Sequence, residues 1–134
     1  MAAAPTTQTK RRAIVVDDSR AMRTILRRAL ESEGFSVIEA EHGKDALERL
    51  AGVRIPDLAL VDWNMPEMNG IELIVALRRD RNYDRMAVVM VSSETEPEQV
   101  QRALGAGANE YIKKPFSHEA LDEKLVRLGL KGHV

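Results

Sequence analysis

A chain of 134 residues, 44% apolar and 31% charged, has room for one domain and enough apolar side chains for one core. Its formal net charge of -1 removes any bulk electrostatic case for binding nucleic acid or a membrane surface. The absence of cysteine excludes disulfides, thiolate zinc sites and cysteine nucleophiles, and it fits a reducing compartment.

The first residues, Met1 to Thr9, are rich in Ala and Thr and carry no apolar core stretch. Lys10-Arg11-Arg12 follows them, the reverse of the order in a secretory leader. Residues 1–11 are therefore expected to be a disordered tail, and residues 12–130 the folded unit. No segment approaches the roughly 20 apolar residues of a membrane span. A soluble, cytoplasmic protein is expected.

Arg12 to Val16 is apolar and β-branched, the mark of a strand buried on both faces. From Ser19 the period changes: Met22, Ile25, Leu26, Ala29 and Leu30 fall at helical spacing, with Arg23, Arg27 and Arg28 on the other face, until Gly34 stops the helix. Phe35 to Ala40 reads as a second strand. His42-Gly43 opens a helix with Ala46, Leu47 and Leu50 inward, ended by Gly52. Pro56-Asp57 turns into a third strand, Leu58 to Asp62.

After the loop from Trp63 to Met68, Asn69 and Glu72 have capping-box spacing, and Ile71, Ile74 and Leu77 form a buried stripe. Met86 to Val91 is the fourth strand. Thr95 and Glu98 again have capping-box spacing, with Pro97 tolerable in a first turn. Val100, Ala103 and Leu104 form the inward face of that helix. The Gly105 to Ala108 turn leads to a short fifth strand, Glu110 to Ile112, and Ser117 caps a last helix striped by Leu121, Leu125 and Leu128.

Five strands alternating with five helices predict an α/β fold with a doubly wound parallel sheet, helices on both faces and right-handed crossovers. All strands then end at one edge, where such sheets bind ligands. Asp17, Asp18, Asp62, Ser92 and Lys114 lie at or just past those ends. Three carboxylates and one ammonium at one edge suit a divalent cation and phosphoryl chemistry: Mg²⁺ takes one or two carboxylates and a carbonyl and keeps several waters. A carboxylate can attack phosphorus while cation and ammonium steady the charge on the transferring oxygens. Asp17 or Asp18 taken alone could equally be a helix cap. His42, His118 and His133 lack zinc spacing and read as surface residues.

Four segments in order carry a resemblance: Val15-Val16-Asp17-Asp18-Ser19, Leu60-Val61-Asp62-Trp63-Asn64-Met65-Pro66, Val91-Ser92-Ser93-Glu94 and Tyr111-Ile112-Lys113-Lys114-Pro115-Phe116. From about Arg12 to Leu128 the chain resembles bacterial two-component response-regulator receiver domains, most of all the single-domain chemotaxis type. The resemblance implies a flavodoxin-like strand order 2-1-3-4-5. It implies that Asp62 accepts a phosphoryl group from the phosphohistidine of a sensor histidine kinase. It implies Mg²⁺ held by Asp18, Asp62 and the backbone carbonyl of Asn64, with Asp17 acting largely through water. It further implies that Lys114 pairs with the phosphoryl oxygens, that Ser92 and Tyr111 move as switch residues, and that Asn64 and Glu94 tune dephosphorylation. Serine at 92, where threonine is commonest, keeps the hydroxyl without the methyl. A cis peptide is implied between Lys114 and Pro115.

No effector segment follows Val134, so output is expected from the receiver surface, near Tyr111. The leading reading is a monomeric signalling protein, not an enzyme on external substrates, that docks on a flagellar switch or another motility target. One alternative is a phosphorelay shuttle serving a histidine phosphotransfer protein. A remoter one is a haloacid-dehalogenase-type phosphatase, against which Asn64 stands where that chemistry needs a second aspartate. A degenerate receiver used as a scaffold is disfavoured because the acidic and basic positions are all filled.

Overall fold

The computed structural model describes residues 10–94 and 96–130. The expected tail therefore lies almost wholly outside the described residues. Strand β1 (Arg12–Val16) leads to helix α1 (Arg20–Ser32), β2 (Ser36–Ala40), α2 (Gly43–Ala51), β3 (Leu58–Asp62) and α3 (Gly70–Arg79). A single 3-10 turn (Arg81–Tyr83) precedes β4 (Ala87–Ser92), α4 (Pro97–Ala106), β5 (Glu110–Lys113) and α5 (His118–Arg127). The strands form one parallel sheet in the order β2-β1-β3-β4-β5, as expected. Phe35 falls just before β2, β4 runs one residue later than its apolar run, and β5 reaches Lys113.

Alternate residues of each strand feed two separate cores. Ile14, Val16, Ala59, Val61, Val88 and Met90 pack with Ala46 and Leu50 of α2, with Leu73, Ile74 and Leu77 of α3, and with Ala103 of α4. Their neighbours Ala13, Val15, Leu58, Leu60, Val89 and Val91 pack with Leu26 and Leu30 of α1 and Leu121 and Leu125 of α5. The period of two along a pleated strand causes this division, and helices on both faces keep the interiors of β1, β3 and β4 apolar.

Several helix starts follow the sequence. Ser19 and Ser117 cap α1 and α5, accepting from the amides of Met22 and Ala120. Asn69 and Glu72 form the complete capping box of α3. The cap of α2 is His42, whose Nδ1 accepts from Asp45 N–H at 3.2 Å, a role its sequence setting did not announce. Helix α4 departs from expectation. Thr95 lies outside the described residues, and the cap position is Glu96, with no side-chain bond and Pro97 in the first turn.

Four apolar or charged assignments also need correcting. Ile25 is 58% exposed and Leu104 41% exposed, so neither belongs to an inward stripe. The contact arc of each helix is narrower than its apolar content. Arg23 and Arg27 do not face open solvent, because both reach back to Glu39 on β2, at 3.1 and 2.7 Å.

Candidate functional site

The sheet register sets the site. Val16 lies opposite Val61 on the neighbouring strand, so Asp17 and Asp62 emerge level with each other at the C-terminal edge. Asp62 itself lies opposite Val91, and Ser92 opposite Lys113, which places Ser92 and Lys114 one step further along. Lys114 N–H then donates to the Ser92 carbonyl at 2.8 Å, and the peptide from Lys114 to Pro115 is cis. Five side chains named from the sequence thus meet at one rim.

Asp17, Asp62 and Ser92 are the buried polar residues beside this rim, while Asp18 is exposed. Carboxylate oxygens of Asp17, Asp18 and Asp62 lie within 4.8 Å of one another. Lys114 Nζ spans the buried pair, 2.9 Å from Asp62 Oδ1 and 3.2 Å from Asp17 Oδ2. Burial pushes the Asp62 pKa above the ordinary carboxylate value; the Lys114 hydrogen bond opposes this, and the charge of Asp17 adds to it. Burial works against the Lys114 ammonium, yet its bond to Asp62 and the charges of Asp62 and Asp17 outweigh that and raise its pKa. One ammonium facing three carboxylates leaves the rim short of about two positive charges. Hard oxygen donors converging with that deficit fit Mg²⁺, which binds through one or two carboxylates and retains water.

Neither aspartate caps α1. Ser19 does, while Asp17 Oδ1 accepts from Ser19 N–H at 2.8 Å. Asp17 is fixed from its other side as well, because Arg23 Nη1 donates to its carbonyl at 2.7 Å. Arg23 is a supporting residue that sequence reasoning placed in solvent. Its signal was the spacing from Asp17 to Arg23, one helical turn past the cap.

Beyond the acidic rim, Ser92 and Tyr111 converge on the backbone of one residue, Glu94. Glu94 N–H donates to Ser92 Oγ at 3.1 Å, and the Tyr111 hydroxyl donates to the Glu94 carbonyl at 2.7 Å. The Tyr111 ring meets Trp63 edge-on at 6.5 Å between centroids, and Arg102 of α4 lies 6.0 Å over the Trp63 ring. Asn64 is exposed in the loop that follows β3. A groove of about 510 Å³ opens beside Tyr111, walled by Glu94, Val100, Leu104 and Lys124.

Gly70 also went unread as a site residue. Its N–H donates to the Trp63 carbonyl at 2.8 Å. A Cβ there would sit 2.4 Å from the Asp62 carbonyl oxygen and 3.0 Å from Trp63 Cα. Only glycine lets the start of α3 press on the loop that carries Asp62 and Asn64.

The sequence pattern of the response regulator receiver domain matches residues 13–126. Over 113 residues the chain is 42% identical to the chemotaxis protein CheY1 of Helicobacter pylori, covering 84% of this chain and 91% of that protein. It is 44% identical over 113 residues to the chemotaxis protein CheY homolog of Campylobacter jejuni, covering 84% and 87%. The solved structure of the chemotaxis response regulator CheY4 of Vibrio cholerae superposes with a TM-score of 0.83 at 33% identity, covering 90% of this chain and 99% of that one.

Proposed function

This chain belongs to the response regulator receiver domain family, and from that premise we propose that it is a stand-alone switch that takes a phosphoryl group on Asp62. The observation that carries the reading is the buried Asp62 carboxylate, level with Asp17 and bonded to Lys114 at 2.9 Å. The functional unit in this reading is residues 12–130, with residues 1–11 as a tail. It works as a cytoplasmic monomer. Among the described residues no helix is long and apolar enough to cross a membrane.

The phosphodonor is the phosphohistidine of a sensor histidine kinase. A carboxylate oxygen of Asp62 attacks phosphorus, the nitrogen–phosphorus bond breaks, and its electron pair returns to the donor imidazole. Asp17, Asp18, Asp62 and the Asn64 carbonyl would hold Mg²⁺, which supplies charge stabilisation to the transferring oxygens. Lys114 already stands at Asp62 Oδ1, so its ammonium meets the arriving oxygens with little reorganisation. The reaction modifies the protein itself; hydrolysis of the acyl phosphate resets it, at a rate tuned by Asn64 and Glu94.

Switching follows from the donor that Ser92 holds. Its hydroxyl oxygen accepts from Glu94 N–H, which leaves its O–H to donate. A phosphoryl group offers three strong acceptors, and a Ser92 side chain that turns to donate to one of them moves the oxygen on which the Glu94 amide rests. Glu94 is the residue that also holds the Tyr111 hydroxyl, so the event at Asp62 reaches the groove beside Tyr111 through one residue. That groove is the docking surface for the output partner. The likeness to chemotaxis proteins over most of the chain supports a motility target such as a flagellar switch.

The test is Trp63 fluorescence, read during titration with Mg²⁺ and then with acetyl phosphate, beside intact mass. A Mg²⁺-dependent gain of one phosphoryl group, absent in Asp62→Asn, is expected. Phosphorylation that survives Asp62→Asn, or none with Mg²⁺ and donor present, rejects the proposal.

A further inference from the structure

The turn after α1 holds a second set of metal-ligating groups, built from residues outside the acidic rim. Glu33 is the C-cap of α1, His118 is the first residue of α5, and Asp122 follows one turn later on the same face. One donor atom from each lies within 4.8 Å of the others. His118 Nε2 is in direct contact with Glu33 Oε2. The Glu33 side chain is only 5% exposed, whereas that of His118 is 56% exposed.

We propose that Glu33, His118 and Asp122 form a site for a zinc-class divalent ion that joins the end of α1 to the start of α5. The donor chemistry selects the ion. An imidazole with two carboxylates suits zinc and its transition-metal neighbours, whereas Mg²⁺ takes all-oxygen shells with much retained water. Donors in a tetrahedral zinc shell stand roughly 3.3 Å apart. The 4.8 Å set closes to that by rotation of the exposed imidazole and of Asp122, which is partly buried. The burial of Glu33 supplies a fixed, water-excluded wall, and the exposure of His118 supplies an entry path and room for a water as fourth ligand.

The ion would replace the direct contact between His118 Nε2 and Glu33 Oε2 with a bond to each. The ion would tie α1 to α5, and α5 also carries Lys124 and Arg127 at the groove beside Tyr111.

Titration calorimetry with Zn²⁺, on protein saturated with Mg²⁺, tests the site. Expected are one zinc per chain and a rise in melting temperature. Affinity should be unchanged in Asp62→Asn and weakened by about tenfold or more in both His118→Ala and Asp122→Asn. Both substitutions sit on an accessible helix face, and circular dichroism verifies their fold. Zinc binding that survives His118→Ala, that disappears in Asp62→Asn, or that is absent overturns the proposal.

Discussion

The Tyr111 hydroxyl donates to the Glu94 carbonyl at 2.7 Å, joining the fifth strand to the loop that leaves the fourth. The amide of the same Glu94 is held by Ser92. A buried nucleophile's neighbour and an aromatic at the groove therefore share one residue's backbone as their common partner. Tyr111→Phe keeps the ring against Trp63 and deletes only the hydroxyl bond. Its cost in urea denaturation should be about 1 kcal/mol. Phosphoryl uptake on Asp62, followed by intact mass, should persist, while the Trp63 response to phosphorylation should shrink.

Asp62 and pH are linked through burial. The fold raises the Asp62 pKa, chiefly by desolvation, over the help that Lys114 gives the charged form. The folded state thus holds this proton more tightly than the unfolded chain. The group's contribution to stability is fullest below the unfolded carboxylate value and is lost as pH rises through the higher folded value. Without divalent ions at neutral pH, Asp62→Asn should be the more stable protein, and its advantage should vanish on acidification. Urea midpoints of both proteins across the acid range measure this. Mg²⁺ affinity has the opposite slope, falling as Asp62 gains its proton.

Lys114→Met should expose the repulsion that the ammonium now balances. Asp17 and Asp62 would face each other without a cation, at a cost of about 2 kcal/mol given that Lys114 is partly solvated. Millimolar Mg²⁺ should restore much of the lost melting temperature, because a divalent ion supplies the missing charge. Phosphorylation by acetyl phosphate should slow sharply even with Mg²⁺ saturating. Equal rates in the two proteins would remove Lys114 from the transfer step.

Arg78 holds together the far end of α3. Its guanidinium donates to the carbonyls of Gly107, Tyr83 and Met86 and to Asn109 Oδ1, all at 2.7 to 3.0 Å. Arg78→Ala leaves those acceptors short of a donor and should cost about 3 kcal/mol in denaturant unfolding. Arg78→Lys should recover less than half of that, since one ammonium cannot reach acceptors arranged around a planar fork.

What the sequence made legible was whatever lies on one element. Apolar runs ending in Asp17, Asp62 and Ser92 marked strand ends, and alternation with helical stripes implied the parallel sheet. The strand order came from family resemblance, because register between distant strands leaves no local signal. Arg78 shows the limit best. It stands in the last turn of α3, where any cation suits the helix dipole, yet its partners lie up to 31 residues away. Arg23 likewise counts as solvent-facing by period, until the position of Glu39 on a neighbouring strand gives it a partner. Ile25 and Leu104 failed for the converse reason: their helices touch the sheet along a narrower arc than their composition offers. At His42 an imidazole nitrogen does what Ser or Asn usually does, and at Gly70 the constraint came from a neighbouring backbone.

The two apolar clusters on opposite faces of the sheet share no buried residue. Backbone alone separates them, so the sheet acts as a partition wall. Packing changes beneath α2, α3 and α4 should leave the energetics beneath α1 and α5 nearly untouched, and paired substitutions drawn from the two sides should add. One flank can thus be rewritten for a new partner while the other keeps its own contract with the chain.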